Sequence, residues 1–126
     1  LDPLLTAAVL FQGWMTEGER AVLHAWCRAL IERGRASARE WPGTTTNNWH
    51  PKRLKVRALG ALVAGDAAAL AEARAEAEAY VAASLRADGT SVDLEERDAL
   101  SYHSGGLRPL VRLAAILEPS HPGLYG

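Results

Sequence analysis

Two short segments concentrate the side chains that can bind an anion or move a proton: Asn47-Asn48-Trp49-His50 and Arg97-Asp98-Ala99-Leu100-Ser101-Tyr102-His103. Amides and guanidinium groups donate hydrogen bonds to carboxylates, while imidazole and phenol give and take protons. Directly after the first segment, Lys52, Arg53, Lys55 and Arg57 place four cations close together. In a chain whose formal net charge is −1, this run is a local attractor for a polyanion. The chain as a whole lacks the positive excess that would point to nucleic acid or a membrane surface.

The elements that must carry these segments read as helices. Leu4, Leu5, Ala8, Val9 and Phe11 follow Asp2 and Pro3 at rough helical spacing, predicting a short helix ending near Gly13. Thr16 and Glu19 form a capping-box pattern ahead of Val22, Leu23, Trp26, Ala29 and Leu30, predicting a helix from about Glu17 to Ala38. Trp41-Pro42-Gly43 and the polar run to Asn48 form a loop. Pro51 fits the first turn of a third helix, with an apolar stripe of Leu54, Ala58, Leu59, Leu62 and Val63, ended by Gly65.

Asp66 can cap a fourth helix, whose face is Leu70, Ala73, Ala77, Tyr80, Val81 and Leu85, closed by Asp88-Gly89. The stretch from Thr90 to Glu96 is mixed. A last apolar series runs from Ala99 through Leu107, Leu110, Val111, Ala114 and Leu117, with Gly105-Gly106 and Pro109 expected to bend or divide it. No period-two alternation is long enough for a strand, so the expected fold class is all-α, in antiparallel helical hairpins. The expected division is a helical domain over 1–118 and a loosely held tail over 119–126.

With 126 residues, 48% hydrophobic and 23% charged, the composition is that of one ordinary globular domain. The single cysteine, Cys27, excludes an intrachain disulfide and reads as a buried, inert thiol among apolar neighbours. No clustered cysteine and histidine spacing points to zinc, and no cofactor is expected. The chain opens at Leu1 without methionine or a targeting segment and is read as a piece of a longer protein.

Asn47-Asn48-Trp49, the Gly65-Asp66 step, Leu85-Arg86-Ala87-Asp88-Gly89-Thr90, and Glu96 to His103 followed by Leu107, Pro109 and Leu110 together resemble the alginate-lyase domain family. That resemblance implies part of an α/α toroid with a groove for an acidic polysaccharide, and a periplasmic or secreted setting. It implies a site built from an asparagine, a histidine, an arginine and a tyrosine, here Asn48, His50, Arg97 and Tyr102. Asn47, Trp49 and His103 would contact the substrate. Two positions depart from the pattern: Trp49 stands where relatives often have histidine, and Glu95 where many have arginine.

The implied reaction is β-elimination on a uronate. It removes the weakly acidic C5 proton and expels the oxygen at C4, so the carboxylate must first be neutralised. Asn48, with Arg97 or His50, would donate to that carboxylate and to the enolate-like charge that develops on it. Tyr102 would take and return the proton, with His50 as the alternative base. No metal is needed. A non-catalytic acidic-glycan-binding module and a helical-repeat interaction domain are the other readings, and apolar helix faces left open would favour self-association.

Plainer readings stand beside each candidate. Asn47 and Asn48 are ordinary helix caps, Trp49 an ordinary packing residue, and one of Tyr102 and His103 a core residue. The run from Lys52 to Arg57 has the spacing of a solvated helix face, and so have Glu72, Glu76 and Glu78 with Arg74. His24 and His121 read as structural or incidental.

Overall fold

The computed structural model describes residues 1–97, 99–120 and 123; Asp98, His121 and most of the proposed tail lie outside them. The fold is all-α, with six helices among the described residues: α1 (Asp2–Phe11), α2 (Glu17–Glu40), α3 (Trp49–Ala64), α4 (Ala67–Ser84), α5 (Val92–Arg97) and α6 (Leu100–Leu117). Short 3-10 turns at Gln12–Trp14 and Pro42–Thr44 close α1 and α2.

Local chemistry fixes the boundaries. At the start of α2 the backbone N–H of Glu19 donates to the Thr16 hydroxyl, and the Glu19 carboxylate accepts from the Thr16 backbone at 2.8 Å, completing the capping box. Gly65 ends α3 at φ 67°, a left-handed conformation that costs glycine little. Asp66 then accepts from the Ala69 N–H at 2.9 Å and starts α4. The Arg86–Gly89 turn is closed by Gly89 at φ 84° and by Asp88, which accepts from both the N–H and the hydroxyl of Thr90. The mixed stretch after it forms an isolated bridge, Leu85 to Ser91, and then α5.

α3 is the axle of the fold. It packs against α1, α2, α4 and α6, and 10 of its 16 residues are buried. One apolar cluster, with Ile31, Leu54, Ala58, Leu70, Ala73, Leu113 and Leu117, joins it to α2, α4 and α6. A second, with Leu5, Ala8, Cys27, Leu59 and Val63, joins it to α1 and α2. Cys27 is fully buried there, and burial pushes its thiol pKa up, away from the reactive thiolate. The outer face of α1 and α2 leaves Leu4, Leu10, Phe11, Trp14 and Val22 exposed.

Pro51 lies in the first turn of α3, which begins at Trp49, as its residue type predicts. Three expectations are corrected. α6 is one continuous helix through Gly105, Gly106 and Pro109, because Pro109 and Gly106 are buried against neighbours that over-determine the path. The basic run is no solvated face: Lys55 and Arg57 are buried, Lys55 paired with Asp2 and Arg57 with Glu72 and Glu76 at 2.9 and 2.8 Å. Glu72 and Glu76 therefore point inward, while Arg74–Glu78 forms the expected i,i+4 pair, at 2.8 Å. Gly34 makes room for the buried guanidinium, since a Cβ there would sit 2.7 Å from Arg57 Cδ.

Candidate functional site

The entrance to α3 is built by the loop ahead of it. Arg53 donates to the Thr44 hydroxyl at 2.7 Å and to the Thr44 carbonyl at 3.0 Å, tying residues 42–48 to the helix. Asn47 is the residue that caps: its side-chain oxygen accepts from the Trp49 N–H at 3.0 Å. Asn48 makes no cap hydrogen bond. It is only 4% exposed, and its side-chain oxygen is buried without a hydrogen-bond partner. A buried, unsatisfied amide costs about 1–3 kcal/mol, so the fold retains Asn48 at a loss.

Asn48 packs against α6 at two glycines. A Cβ on Gly106 would lie 3.5 Å from Asn48 Cα and 3.2 Å from the Tyr80 hydroxyl, and one on Gly105 would lie 3.4 Å from Asn48 Nδ2. Tyr102 precedes Gly106 by four residues on the same helix face, a separation of about 5–6 Å between Cβ positions. The entrance to α3 thus packs on α6 at Gly105 and Gly106, in the helix whose first turn carries Tyr102. Tyr102 is exposed, and the Arg97 guanidinium carbon stands 4.9 Å from its ring centroid. Arg97 is in turn held by the buried Asp93, Nε to Oδ1 at 3.5 Å.

The remaining candidates divide. Trp49 is 55% exposed, with Lys52 Nζ 4.9 Å from its ring centroid, so it faces the surface rather than the core. His103 is half-buried and bonded through Nδ1 to the Ser91 hydroxyl at 2.9 Å, anchoring α6 to the bridge after the turn. His50 points inward, 6% exposed, its ring centroid 5.8 Å from that of Tyr80 and its Nε2 3.8 Å from a Glu76 carboxylate oxygen. Burial lowers its pKa, with Glu76 opposing and Arg53 and Arg57 adding to the shift. His50 is thus buried while Tyr102 is exposed.

Sequence reasoning passed over the layer behind Asn48. Tyr80 is 3% exposed, and burial, with the Asp93 charge adding, pushes its phenol up to about 12, fixing it as a neutral donor. The visible signal for this layer was Gly105-Gly106 with Pro109 in mid-helix. Each glycine there costs about 0.5–1 kcal/mol and the proline about 3, a penalty that calls for a compensating reason. Arg86 and Glu95 form a bidentate pair at 2.9 and 2.7 Å, so Glu95 is committed to the turn. Among the described residues no group of three or more His, Cys, Asp or Glu is placed to hold a metal, and no helix is long and apolar enough to cross a membrane.

Among the described residues, these helix entrances carry an amide with an unpartnered oxygen, a guanidinium stacked on a phenol, and Lys52 without an acidic partner. The chain belongs to the alginate lyase family, whose model matches residues 6–126. No curated protein and no solved structure matches the chain.

Proposed function

We propose that this protein is a polysaccharide lyase that cleaves an acidic, uronate-containing polymer by β-elimination, as part of an α/α toroid. The observation that carries the reading is Asn48: a buried amide whose side-chain oxygen has no hydrogen-bond partner and whose Nδ2 faces the notch at Gly105, on the helix that carries the exposed Tyr102. Family membership supports the reaction class.

In this reading Asn48 donates to the uronate carboxylate, and its hydrogen bond strengthens as the C5–H bond breaks and negative charge moves onto that group. Tyr102 takes the C5 proton. The C5 electron pair forms the C4–C5 double bond, the C4–O bond breaks, and the departing sugar oxygen receives the proton from the same phenol. Arg97, stacked on the ring 4.9 Å from its centroid, holds the phenol in place. Neutral His50 and Tyr80 lie behind Asn48 and fix the helix entrance.

The second reading, a binding module that holds acidic glycan without cutting it, is favoured by Trp49 and Glu95 at positions where relatives often carry histidine and arginine. Ultraviolet absorbance separates the two, because elimination leaves a conjugated C4–C5 double bond. Rising absorbance on polymannuronate, polyguluronate or another uronate polymer is the expected result. Binding without any rise on all of them would overturn the lyase reading.

A further inference from the structure

The cations at the start of α3 have different fates. Arg53 is bonded to Thr44, Lys55 to Asp2, and Arg57 to Glu72 and Glu76. Lys52 has no acidic partner among the described residues, and it lines a groove between α3 and α6 with a volume of about 580 Å3. That volume lies within the range of about 300–1,000 Å3 usual for small-molecule sites. Arg108 lines the same groove from α6, and it too has no acidic partner among the described residues. The one carboxylate in the lining, Asp2, is committed to Lys55.

Two donors meet where Gly105 lacks a side chain. The point its Cβ would occupy is 3.4 Å from Asn48 Nδ2 and 4.0 Å from Lys52 Nζ. Ser101 lies one turn before this notch, and Pro109, four residues after Gly105, deprives the Gly105 carbonyl of its i+4 amide partner. The groove therefore offers clustered positive donors, a hydroxyl, and a carbonyl acceptor that suits a sugar hydroxyl. Two unneutralised cations facing one hollow repel each other until an anion enters.

We propose that this groove is a second carboxylate subsite, taking the uronate next to the one being cleaved, with Lys52 and Arg108 as its specificity-determining cations and Gly105 as the notch that admits it. The substrate class rests on the reading above, while the charge selectivity rests on the groove itself. Trp49 holds Lys52 in place through its ring face. A neutral polymer has no group that repays desolvation of the two cations, so the groove selects for uronates.

The test is calorimetric binding of a uronate hexamer prepared from alginate, with a neutral glucan hexamer as control and product absorbance followed in parallel. Lys52→Gln and Arg108→Gln are each expected to weaken hexamer binding roughly tenfold and to flatten its salt dependence. Arg28→Gln, an exposed cation on α2 outside the groove, leaves binding unchanged. Gly105→Ala separates the subsite from folding: it favours the helix, yet a methyl group in the notch weakens binding several-fold. Lys52-dependent hexamer binding without any product absorbance supports the subsite and defeats the lyase reading alone. Binding of the neutral hexamer as tight as that of the uronate, no binding by the native chain, or unchanged binding in Lys52→Gln and Arg108→Gln overturns the subsite.

Discussion

Lys52 and Arg57 are five residues apart on one helix, yet they belong to two regions with opposite electrostatics. Around Arg57 the charges are paired, although its Nε keeps no hydrogen-bond partner: Glu72 and Glu76 pair with it, Arg35 pairs with Glu72, and the hydrogen bond from Arg35 holds the Glu72 carboxyl below its ordinary pKa. Around Lys52, among the described residues, no carboxylate answers the charge, and only the ring face of Trp49 meets it. Asn48 keeps an unpartnered oxygen, and Lys52 and Arg108 face a groove without a free carboxylate. A closed polar network rigidifies a fold, whereas an open one waits for a ligand. Substitutions in the first region should therefore change stability, and substitutions in the second should change binding and turnover.

The largest effect is expected at the open region. Tyr102→Phe removes the proton-carrying oxygen and should lower kcat by about 100- to 10,000-fold. Because Tyr102 is exposed and its ring contact with Arg97 survives, the urea midpoint should hardly move. A kcat within tenfold of the native value would reassign the proton transfer.

Next is the closed region. Arg57→Met strips the counter-charge from Glu72 and Glu76 inside the fold and should cost about 3–5 kcal/mol in urea unfolding. Turnover per folded molecule should stay near native, and a loss of less than about 1 kcal/mol would show that water reaches the pair.

The smallest effect concerns pH. The His50 pKa is lowered in the fold, chiefly by burial. As pH falls below about 6.5, the unfolded chain takes up a proton before the folded one does. Stability is therefore undiminished by this group above that pH and declines below it. His50→Gln should flatten the fall in thermal midpoint between about pH 7.5 and 5.5, and an unchanged slope would show that the ring is hydrated.

Much of this architecture was readable from local chemistry. The Thr16–Glu19 box, Gly65 and Asp66 are caps whose geometry depends on neighbours a few residues away, and all three formed as their residue types require. The fate of the basic run was not readable, because it depends on partners up to 53 residues distant, from Asp2 to Lys55. Its spacing matches an exposed face, and only the tertiary arrangement of Gly34, Glu72 and Glu76 makes burial affordable. Gly105-Gly106 and Pro109 suggested a break for the same reason: propensity records their cost to an isolated helix and not the side chains they make room for.

In the candidate site, the helix-entrance positions of Asn48 and Tyr102 were legible, since caps and turns announce themselves. The division of labour within each segment was not. Asn47 caps and Asn48 does not, and His50 turns inward while Trp49 faces out; these are rotations about a helix axis set by what α4 and α6 present. The layer of Tyr80 and Asp93 was hidden because each residue alone fits an ordinary core or cap.

The most direct measurement is on Asn48→Ala, with urea stability and the rate of unsaturated-product formation determined on the same preparation. An amide kept for chemistry at a cost to folding should give a variant at least as stable as the native chain, with turnover reduced about 100- to 1,000-fold. A variant destabilised by more than about 2 kcal/mol, with native turnover per folded molecule, would make Asn48 a structural residue and remove the centre of the site.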